Sequence, residues 1–303
     1  MTNVPARVAW LTDALLALAV EEVAPAALAQ LRDDLVRDLG ALGAELPDGE
    51  RLQLDAFKVR LAQRHPDQCI SIDDTFTPSP RVCRRAVGVA AVNRCVRGHS
   101  PNPAVAVATV LAEGLEDAAV ARDTGAVRAP WWAEWYAGLP DGGRAVVRAE
   151  AVTWATQLLT AVDWQQVPRP VVGGRDDWWQ CPGGTPIVLK GRADVRALVG
   201  RRPVLLVVGT GRCQADWRAE LGYPGLVASL GREAPVSPCR VVGVWPQSGQ
   251  VRILPLDVAA LRASATAVVA GVATWVDSRI EKERGTRNSV SDPLSVSVDG
   301  ALA

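Results

Sequence analysis

Residues 185–212 constrain the fold more than any other stretch, because they predict two adjacent strands and the turn between them. Residues 189–196 alternate apolar and polar side chains, which is typical of a strand with one buried face. Residues 204–208 are an unbroken run of valine and leucine, which indicates a central strand. Pro203 lacks an N–H group and suits the start of that second strand. A helix is predicted soon after it.

A short pattern of glycine, aspartate and threonine surrounds these two strands. Gly191 and Asp194 form a G-x-x-D sequence on the first strand, and a Thr-Gly pair at positions 210 and 211 follows the second. This arrangement resembles the core of the PD-(D/E)XK nuclease superfamily, in the branch that includes recombination exonucleases. In that family the second strand ends in an acid, any residue and a lysine. Here Val207 stands in place of the acid and Gly209 in place of the lysine.

The resemblance implies an α/β (α+β) fold, in which a mixed sheet has the αβββαβ order of the superfamily and is preceded by an α-helical cap. The sequence pattern over residues 141–284 agrees with that order. The predicted elements are a helix at 141–162, strands at 177–181, 189–196 and 204–208, a helix at 214–230, strands at 239–245 and 251–256, and a helix at 257–284. We expect the first three strands to form an antiparallel meander that places Asp194 beside Val207.

Three regions are predicted along the chain. Residues 1–130 form a helical N-terminal region, residues 131–284 the nuclease-like core, and residues 285–303, which are polar and rich in serine, a flexible tail. The helices of the first region are predicted near 5–23, 25–42, 50–63, 81–97 and 104–115, and a polar linker follows at 116–130.

The composition argues against a protein whose whole surface attracts nucleic acid or anionic lipid, since 33 basic residues balance 33 acidic ones. The six cysteines are widely spaced and form no C-x-x-C sequence, which predicts free thiols in a reducing compartment and neither a zinc site nor a disulfide frame. No apolar run has the length of a membrane span. We therefore expect a cytoplasmic protein without membrane contact.

Cleavage of a phosphodiester with Mg²⁺ requires at least two carboxylates for the ion and a further group to offset charge on the phosphate. Asp194 alone would hold Mg²⁺ weakly, so we expect a vestigial acid, no catalytic residue and no cofactor. The alternative is an active site with relocated residues, in which case Asp194 would bind Mg²⁺. The candidate partners are Glu150, Lys190, Arg212 and Glu220, with Asp176, Asp177 and Asp216 close to them in the sequence.

Arginine is the main basic residue, because only positions 58, 190 and 282 are lysine. The helix predicted at 81–97 carries five arginines, and no acid occurs between positions 74 and 113. One interpretation is a phosphate-facing surface. The other is a packed helix whose arginines form ion pairs with other elements. The residues proposed for nucleic-acid binding are Arg81, Arg84 and Arg85, together with Arg192 and Arg212 at the rim of the degenerate site.

A tryptophan cluster at positions 131, 132 and 135 allows base stacking, packing on a core, or exposure as an apolar docking patch. With the preceding observations it leaves three functions open. The first is a catalytically degenerate nuclease-like protein that acts as a nucleic-acid-binding or assembly scaffold. The second is an active Mg²⁺-dependent DNA nuclease with a relocated site. The third is a protein–protein adaptor without a nucleic-acid role. The partners implied are DNA or RNA, or another protein subunit.

Overall fold

The computed structural model describes residues 7–17, 22–71, 79–125, 129–173, 177–180, 182–199, 202–209, 211–231 and 238–290. Their helices are α1 (Arg7–Leu16), α2 (Pro25–Gly43), α3 (Ala56–Arg64), α4 (Gln68–Ser71), α5 (Pro80–Val96), α6 (Pro103–Thr124), α7 (Ala133–Ala137), α8 (Asp141–Ala161), α9 (Trp217–Leu230) and α10 (Val258–Val290). Their strands are β1 (Leu52–Asp55), β2 (Val171–Val172), β3 (Asp177–Gln180), β4 (Ile187–Gly191), β5 (Val195–Val199), β6 (Arg202–Val208), β7 (Arg240–Trp245) and β8 (Gln250–Pro255).

The strands form two sheets, so the chain is a mixed α/β protein as the sequence predicts. The larger sheet has the order β2-β5-β6-β7-β8 and the smaller has the order β1-β4-β3. In the larger sheet β5 and β6 form an antiparallel hairpin, and β6 is parallel to β7. Helix α9 lies between β6 and β7 in the sequence, as a parallel connection requires. The β7–β8 pair is a second antiparallel hairpin.

The single strand predicted at 189–196 is wrong, because the chain changes sheets in the middle of that stretch. Strand β4 ends at Gly191 in the smaller sheet, and β5 begins at Val195 in the larger one. A Cβ atom at Gly191 would lie 2.8 Å from Cβ of Val227, so α9 packs directly on the backbone where β4 ends. The alternation of side chains continues through the bend and therefore conceals it.

The predicted three-stranded meander is wrong for the same reason. Strand β3 is antiparallel to β4 within the smaller sheet. The neighbour of β5 on its other side is β2, a two-residue strand that the sequence pattern does not single out. A strand of two residues is too short for an alternation of apolar and polar side chains to be recognised in the sequence.

Each face of the larger sheet packs against its own hydrophobic core. Along β6, Leu205 and Val207 point into the first core, which α2, α3, α9 and α10 cover. The intervening residues Val204, Leu206 and Val208 point into the second core, which α1, α5, α6 and α8 cover. The central strand is thus buried on both faces, which explains its unbroken aliphatic sequence.

The N-terminal region is not purely helical, and this corrects the predicted helix at 50–63. Strand β1 occupies residues 52–55 and pairs in parallel with β4, and α3 follows at once. Leu52 and Leu54 are fully buried while Gln53 is exposed, so a period of two is present over only four residues. Side chains from both sides of position 130 share each core, so the predicted cap is packed into the rest of the protein.

Two helices are longer than predicted. Helix α6 continues through most of the predicted linker to Thr124, and Gly125 ends it with a left-handed φ of 65°. Helix α10 begins where Asp257 accepts a hydrogen bond from the N–H of Ala260, and it continues past Gly285, where an end was expected, to Val290. The predicted tail therefore begins inside a helix, and residues 291–303 lie outside the described part of the chain.

Within the described residues, α10 is the one helix long and apolar enough to cross a membrane by length and composition, over Val258–Arg284. One side of it packs into the first core through Leu261, Val268 and Trp275. A core helix of a soluble protein has the same properties, and the structure is compatible with that assignment.

Candidate functional site

Asp194 is the centre of the candidate site, and its carboxylate is held by an arginine from a distant helix. The Arg85 Nε donates to Oδ1 at 3.1 Å and its Nη2 donates to Oδ2 at 2.6 Å. This two-point contact is the strongest geometry that an arginine and a carboxylate can form. The Asp194 side chain is fully buried and the Arg85 side chain is 24% exposed. The pair therefore joins α5 to the larger sheet.

The backbone near the β5–β6 hairpin also forms hydrogen bonds with Asp194. The N–H of Val208 donates to Asp194 Oδ2 at 2.7 Å, and the N–H of Asp194 donates to the carbonyl of Leu206 at 2.8 Å. The side chain thus satisfies a backbone donor at the end of β6. Both carboxylate oxygens are occupied by protein donors, and Arg192 adds a longer contact from Nε to Oδ1 at 3.9 Å.

The position of Arg85 follows from local sequence. Ser79 accepts a hydrogen bond from the N–H of Val82 and Pro80 occupies the first turn, so α5 begins where the sequence predicts. Buried residues such as Cys83, Val87 and Val92 then turn one side of α5 toward the second core. Burial raises the pKa of the Cys83 thiol to about 12. Arg85 lies beside this buried side of the helix and reaches the sheet.

The positions that correspond to the family's acid and lysine do not face Asp194. Val207 points into the first core, whereas the Asp194 carboxylate lies on the opposite side of the sheet with α5. Gly209 is buried against the Trp245 indole, and a Cβ atom there would lie 2.1 Å from Nε1. Trp245 therefore occupies the space that a lysine side chain would need. Asp194 lies in the bend just before β5 and outside the paired residues of the β5–β6 hairpin, so the prediction that it stands on a strand beside Val207 is wrong.

The carboxylates proposed as partners of Asp194 in a relocated site form ion pairs with other residues. Glu150 on α8 accepts a hydrogen bond from Arg84 Nη1 at 2.9 Å, and Glu220 on α9 accepts one from Arg60 Nη1 at 2.8 Å. Asp216 forms an ion pair with Arg64 on α3. Asp176 and the side chain of Asp177 lie outside the described residues.

Two further candidates from the sequence are also separated from Asp194. Lys190 lies on β4 in the smaller sheet, opposite Asp55 of β1, so it does not share one strand with Asp194 as the strand predicted at 189–196 implied. Arg212 is exposed in the segment after β6. Among the predicted site residues whose side chains the structure describes, only Arg85 and Arg192 contact the Asp194 carboxylate. The described residues contain no group of three or more His, Cys, Asp or Glu side chains arranged to hold a metal ion.

The arginines of α5 are largely engaged in ion pairs, in agreement with the second interpretation of that helix. Arg84 contacts Glu150, Arg85 contacts Asp194, and Arg94 contacts Glu113 at 2.7 Å. Arg81 is exposed at the start of the helix. The sequence did not reveal the partner of Arg85, because 109 residues separate it from Asp194. The available signal was a helix rich in arginine and free of acids beside a strand with one lone acid.

The tryptophan cluster forms no continuous exposed patch. Trp132 is buried against Gly114 of α6 and meets Tyr136 edge to face, with ring centroids 6.4 Å apart. Trp135 packs beside the second core. Only Trp131 of the three is substantially exposed, at 43%. The tryptophan cluster mainly packs α7 against the second core.

The chain was also compared with known proteins. It matches no protein-family model and no curated protein.

Proposed function

We propose that the protein is a catalytically inactive scaffold with a nuclease-like core that assembles with another protein. The observation that carries this proposal is the saturation of Asp194, whose two oxygens accept hydrogen bonds from Arg85 and from the N–H of Val208. In the resembling family this acid would hold a metal ion. Here Asp194 instead binds a cation of the protein itself, the Arg85 guanidinium.

Binding of Mg²⁺ to Asp194 would disrupt its ion pair with Arg85. A metal ion could take Asp194 only if Arg85 moved away, which would leave a guanidinium partly buried without its counter-ion. Breaking a buried ion pair in this way costs about 3 kcal/mol. A single carboxylate offers Mg²⁺ little in return, because the ion retains most of its water unless several oxygens bind it.

The order of elements supports a nuclease-like core in part. Helix α8 precedes the strands, β5 and β6 are antiparallel, and α9 connects β6 to a parallel β7. This agrees with the helix, strands, helix and strand of the superfamily. The placement of β3 and β4 in a separate sheet departs from it.

The alternative of an active nuclease with a relocated site has less support. It needs a second carboxylate near Asp194, and Glu150 and Glu220 are held by Arg84 and Arg60. A role in nucleic-acid binding has less support than a protein partner for a related reason. Arg84 and Arg85 face carboxylates that neutralise them, and the whole chain has no net charge.

The metal part of this proposal is tested by calorimetric titration of the wild-type protein and an Asp194→Asn variant with Mn²⁺. We expect the same heats for both, because Asp194 contributes no metal site. Specific binding by the wild type that disappears in Asp194→Asn would overturn the proposal.

The partner class is tested by the fluorescence anisotropy of labelled DNA and RNA oligonucleotides at low and moderate salt. We expect no binding that depends on Arg81, so Arg81→Gln should behave like Arg122→Gln, a change at an exposed position on α6. Tight binding that weakens steeply with salt and is lost in Arg81→Gln would identify a nucleic-acid scaffold instead.

A further inference from the structure

Strand β8 forms one edge of the larger sheet, because β7 is its only neighbour among the described strands. The hydrogen bonds of β7 show which backbone groups of β8 face outward. The carbonyl of Val244 on β7 accepts from the N–H of Gly209 at 2.7 Å, so Val244 bonds toward β6 and away from β8. Its partner on β8 is Val251, which therefore directs its own N–H and C=O groups to the outer edge. Ile253, two residues further along β8, points the same way.

A side-chain contact agrees with this direction. Arg252 Nη1 donates to the carbonyl of Val251 at 2.9 Å, and Arg252 is exposed. Ile253 is 41% exposed, so the outer edge of β8 is accessible from solvent. The N–H and C=O groups of Ile253 lie on an edge to which no described strand is added. Such an edge is a template for the addition of another strand.

The sequence that follows α10 has the pattern of a strand that would fit this edge. Residues 294–299 read Leu-Ser-Val-Ser-Val-Asp, and this alternation is typical of a strand with one buried face. They follow Val290, where α10 ends, and lie outside the described part of the chain. Paired with β8, their three apolar side chains would continue the face formed by Ile253 and by Val251, which packs beside the second core.

The polar side chains of the segment match the other face of β8. Ser295, Ser297 and Asp299 alternate with the apolar residues, so on a paired strand they would share the face of Arg252. Asp299 carries the charge that complements Arg252, and the segment contains no basic residue. Backbone hydrogen bonds and alternating side chains are the two elements of recognition by strand addition.

The segment cannot pair with the whole of β8 in its own chain. Helix α10 begins three residues after Pro255, the last residue of β8, and extends about 48 Å before it ends at Val290. The connection between Pro255 and α10 spans at most about 10 Å. The nine residues from Val290 to Asp299 span only about 30 Å when extended. They therefore fall short of Pro255, and the segment that pairs with β8 must come from a second copy.

We propose that residues 294–299 of one copy of the protein add a strand to β8 of a second copy. The addition extends the five strands of the larger sheet by one and gives the outward backbone groups of Val251 and Ile253 their partners. Reciprocal addition between two copies produces a dimer. This inference goes beyond the proposed function, because it concerns association of the protein with itself.

Sedimentation equilibrium of the full-length protein over a wide range of concentration tests the association. We expect the wild type to form dimers and Val296→Asp to dimerise at least about tenfold more weakly, because the carboxylate would enter the apolar face of the added strand. Ala301→Asp is the matched control, since it adds the same charge outside residues 294–299 and should dimerise like the wild type.

A second pair of variants tests the edge of β8. Ile253→Pro removes an N–H group that faces away from β7, so we expect a folded protein whose dimerisation is at least about tenfold weaker. Ile253→Thr retains that N–H group and a β-branched side chain, and it should still dimerise. Circular dichroism checks the folding of both variants.

Mixing two variants shows whether the segment acts between copies. Val296→Asp retains an intact β8 and Ile253→Pro retains an intact segment, so the mixture should form a heterodimer although neither variant dimerises well alone. A wild type that stays monomeric, a Val296→Asp protein that dimerises like Ala301→Asp, or a mixture that stays monomeric would each overturn the inference. None of these results affects the Mn²⁺ titration, which tests the proposed function separately.

Discussion

Burying Asp194 removes a carboxylate from water, and the protein offsets that cost with Arg85 and one backbone N–H group. Ion pairs of this kind add little net stability compared with apolar replacements, but losing one partner alone is costly. The loss of either residue alone is therefore expected to destabilise the fold.

Replacing Arg85 with methionine should lower the free energy of unfolding by about 3 kcal/mol, because Asp194 stays buried without its cation. The double variant Arg85→Met with Asp194→Leu should lose less than the two single changes added together. Urea denaturation followed by circular dichroism measures both effects. The matched control is Arg94→Met, whose partner Glu113 is 53% exposed and whose loss should cost under about 1 kcal/mol. Equal losses for Arg85→Met and Arg94→Met would contradict the assignment.

Gly209 provides a second test at the residue scale. Gly209→Lys restores the residue type of the resembling motif, but its Cβ would collide with Trp245 at 2.1 Å. We expect a loss of about 2 kcal/mol in unfolding free energy and a shifted tryptophan emission spectrum. Gly142→Lys is the control, since no atom lies within 4 Å of a Cβ at that helical position. A Gly209→Lys protein as stable as Gly142→Lys would show that the indole does not fill the lysine position.

The Cys83 thiol predicts a loss of stability in alkali. Burial raises its pKa from 9.0 to about 12, so above pH 9 the thiol ionises in the unfolded chain while it stays protonated in the folded one. This ionisation stabilises the unfolded state, so the free energy of unfolding falls between pH 9 and pH 12. We expect about 2 kcal/mol less stability at pH 10.5 than at pH 8, and a smaller difference in Cys83→Ala. An identical pH slope in the wild type and Cys83→Ala would refute this origin.

At the scale of the element, β1 is held by a side chain as well as by its pairing with β4. The Tyr223 hydroxyl of α9 donates to the carbonyl of Leu54 at 2.8 Å, and burial raises the pKa of Tyr223 well above its usual value. The bond joins α9 to a strand that lies 169 residues earlier in the sequence. It therefore connects the N-terminal region directly to the core.

Tyr223→Phe should lower the free energy of unfolding by about 1–2 kcal/mol, because the Leu54 carbonyl loses a buried donor. Thermal denaturation measures the change. Tyr136→Phe is the matched control, since the Tyr136 hydroxyl donates to the backbone carbonyl of Arg144 at the longer distance of 3.4 Å and should contribute less. A larger loss in Tyr136→Phe than in Tyr223→Phe would contradict this account of β1.

The elements that sequence reasoning located are those whose signals are local. The helices predicted at 25–42 and 81–97 and the strand predicted at 204–208 each follow from residues that lie close together in the sequence, and the structure confirms all three as α2, α5 and β6. The bend between β4 and β5 was missed because alternation is the same whether a strand continues or crosses to another sheet. Strand β1 was missed because four residues beside a helix carry little periodicity.

At the scale of the whole molecule, the larger sheet separates two hydrophobic cores, and the residues that resemble the nuclease motif are divided between its two faces. Asp194 faces α5 on one side, while Val207 and Gly209 face the first core on the other. The sequence identified Val207 and Gly209 as the positions to compare with that motif, but the direction in which these positions face depends on long-range packing. For the same reason the Arg85–Asp194 pair could not be derived from spacing alone.

The most direct test of the account is a cleavage assay on linear DNA and on RNA with Mg²⁺ or Mn²⁺, using the wild type and Asp194→Asn side by side. Asparagine retains an acceptor for the Val208 N–H and removes the charge that a metal ion would need. We predict no degradation by either protein, because Arg85 occupies the carboxylate and the described residues contain no group of three or more His, Cys, Asp or Glu side chains arranged to hold a metal ion. Metal-dependent cleavage by the wild type that Asp194→Asn abolishes would contradict the central claim.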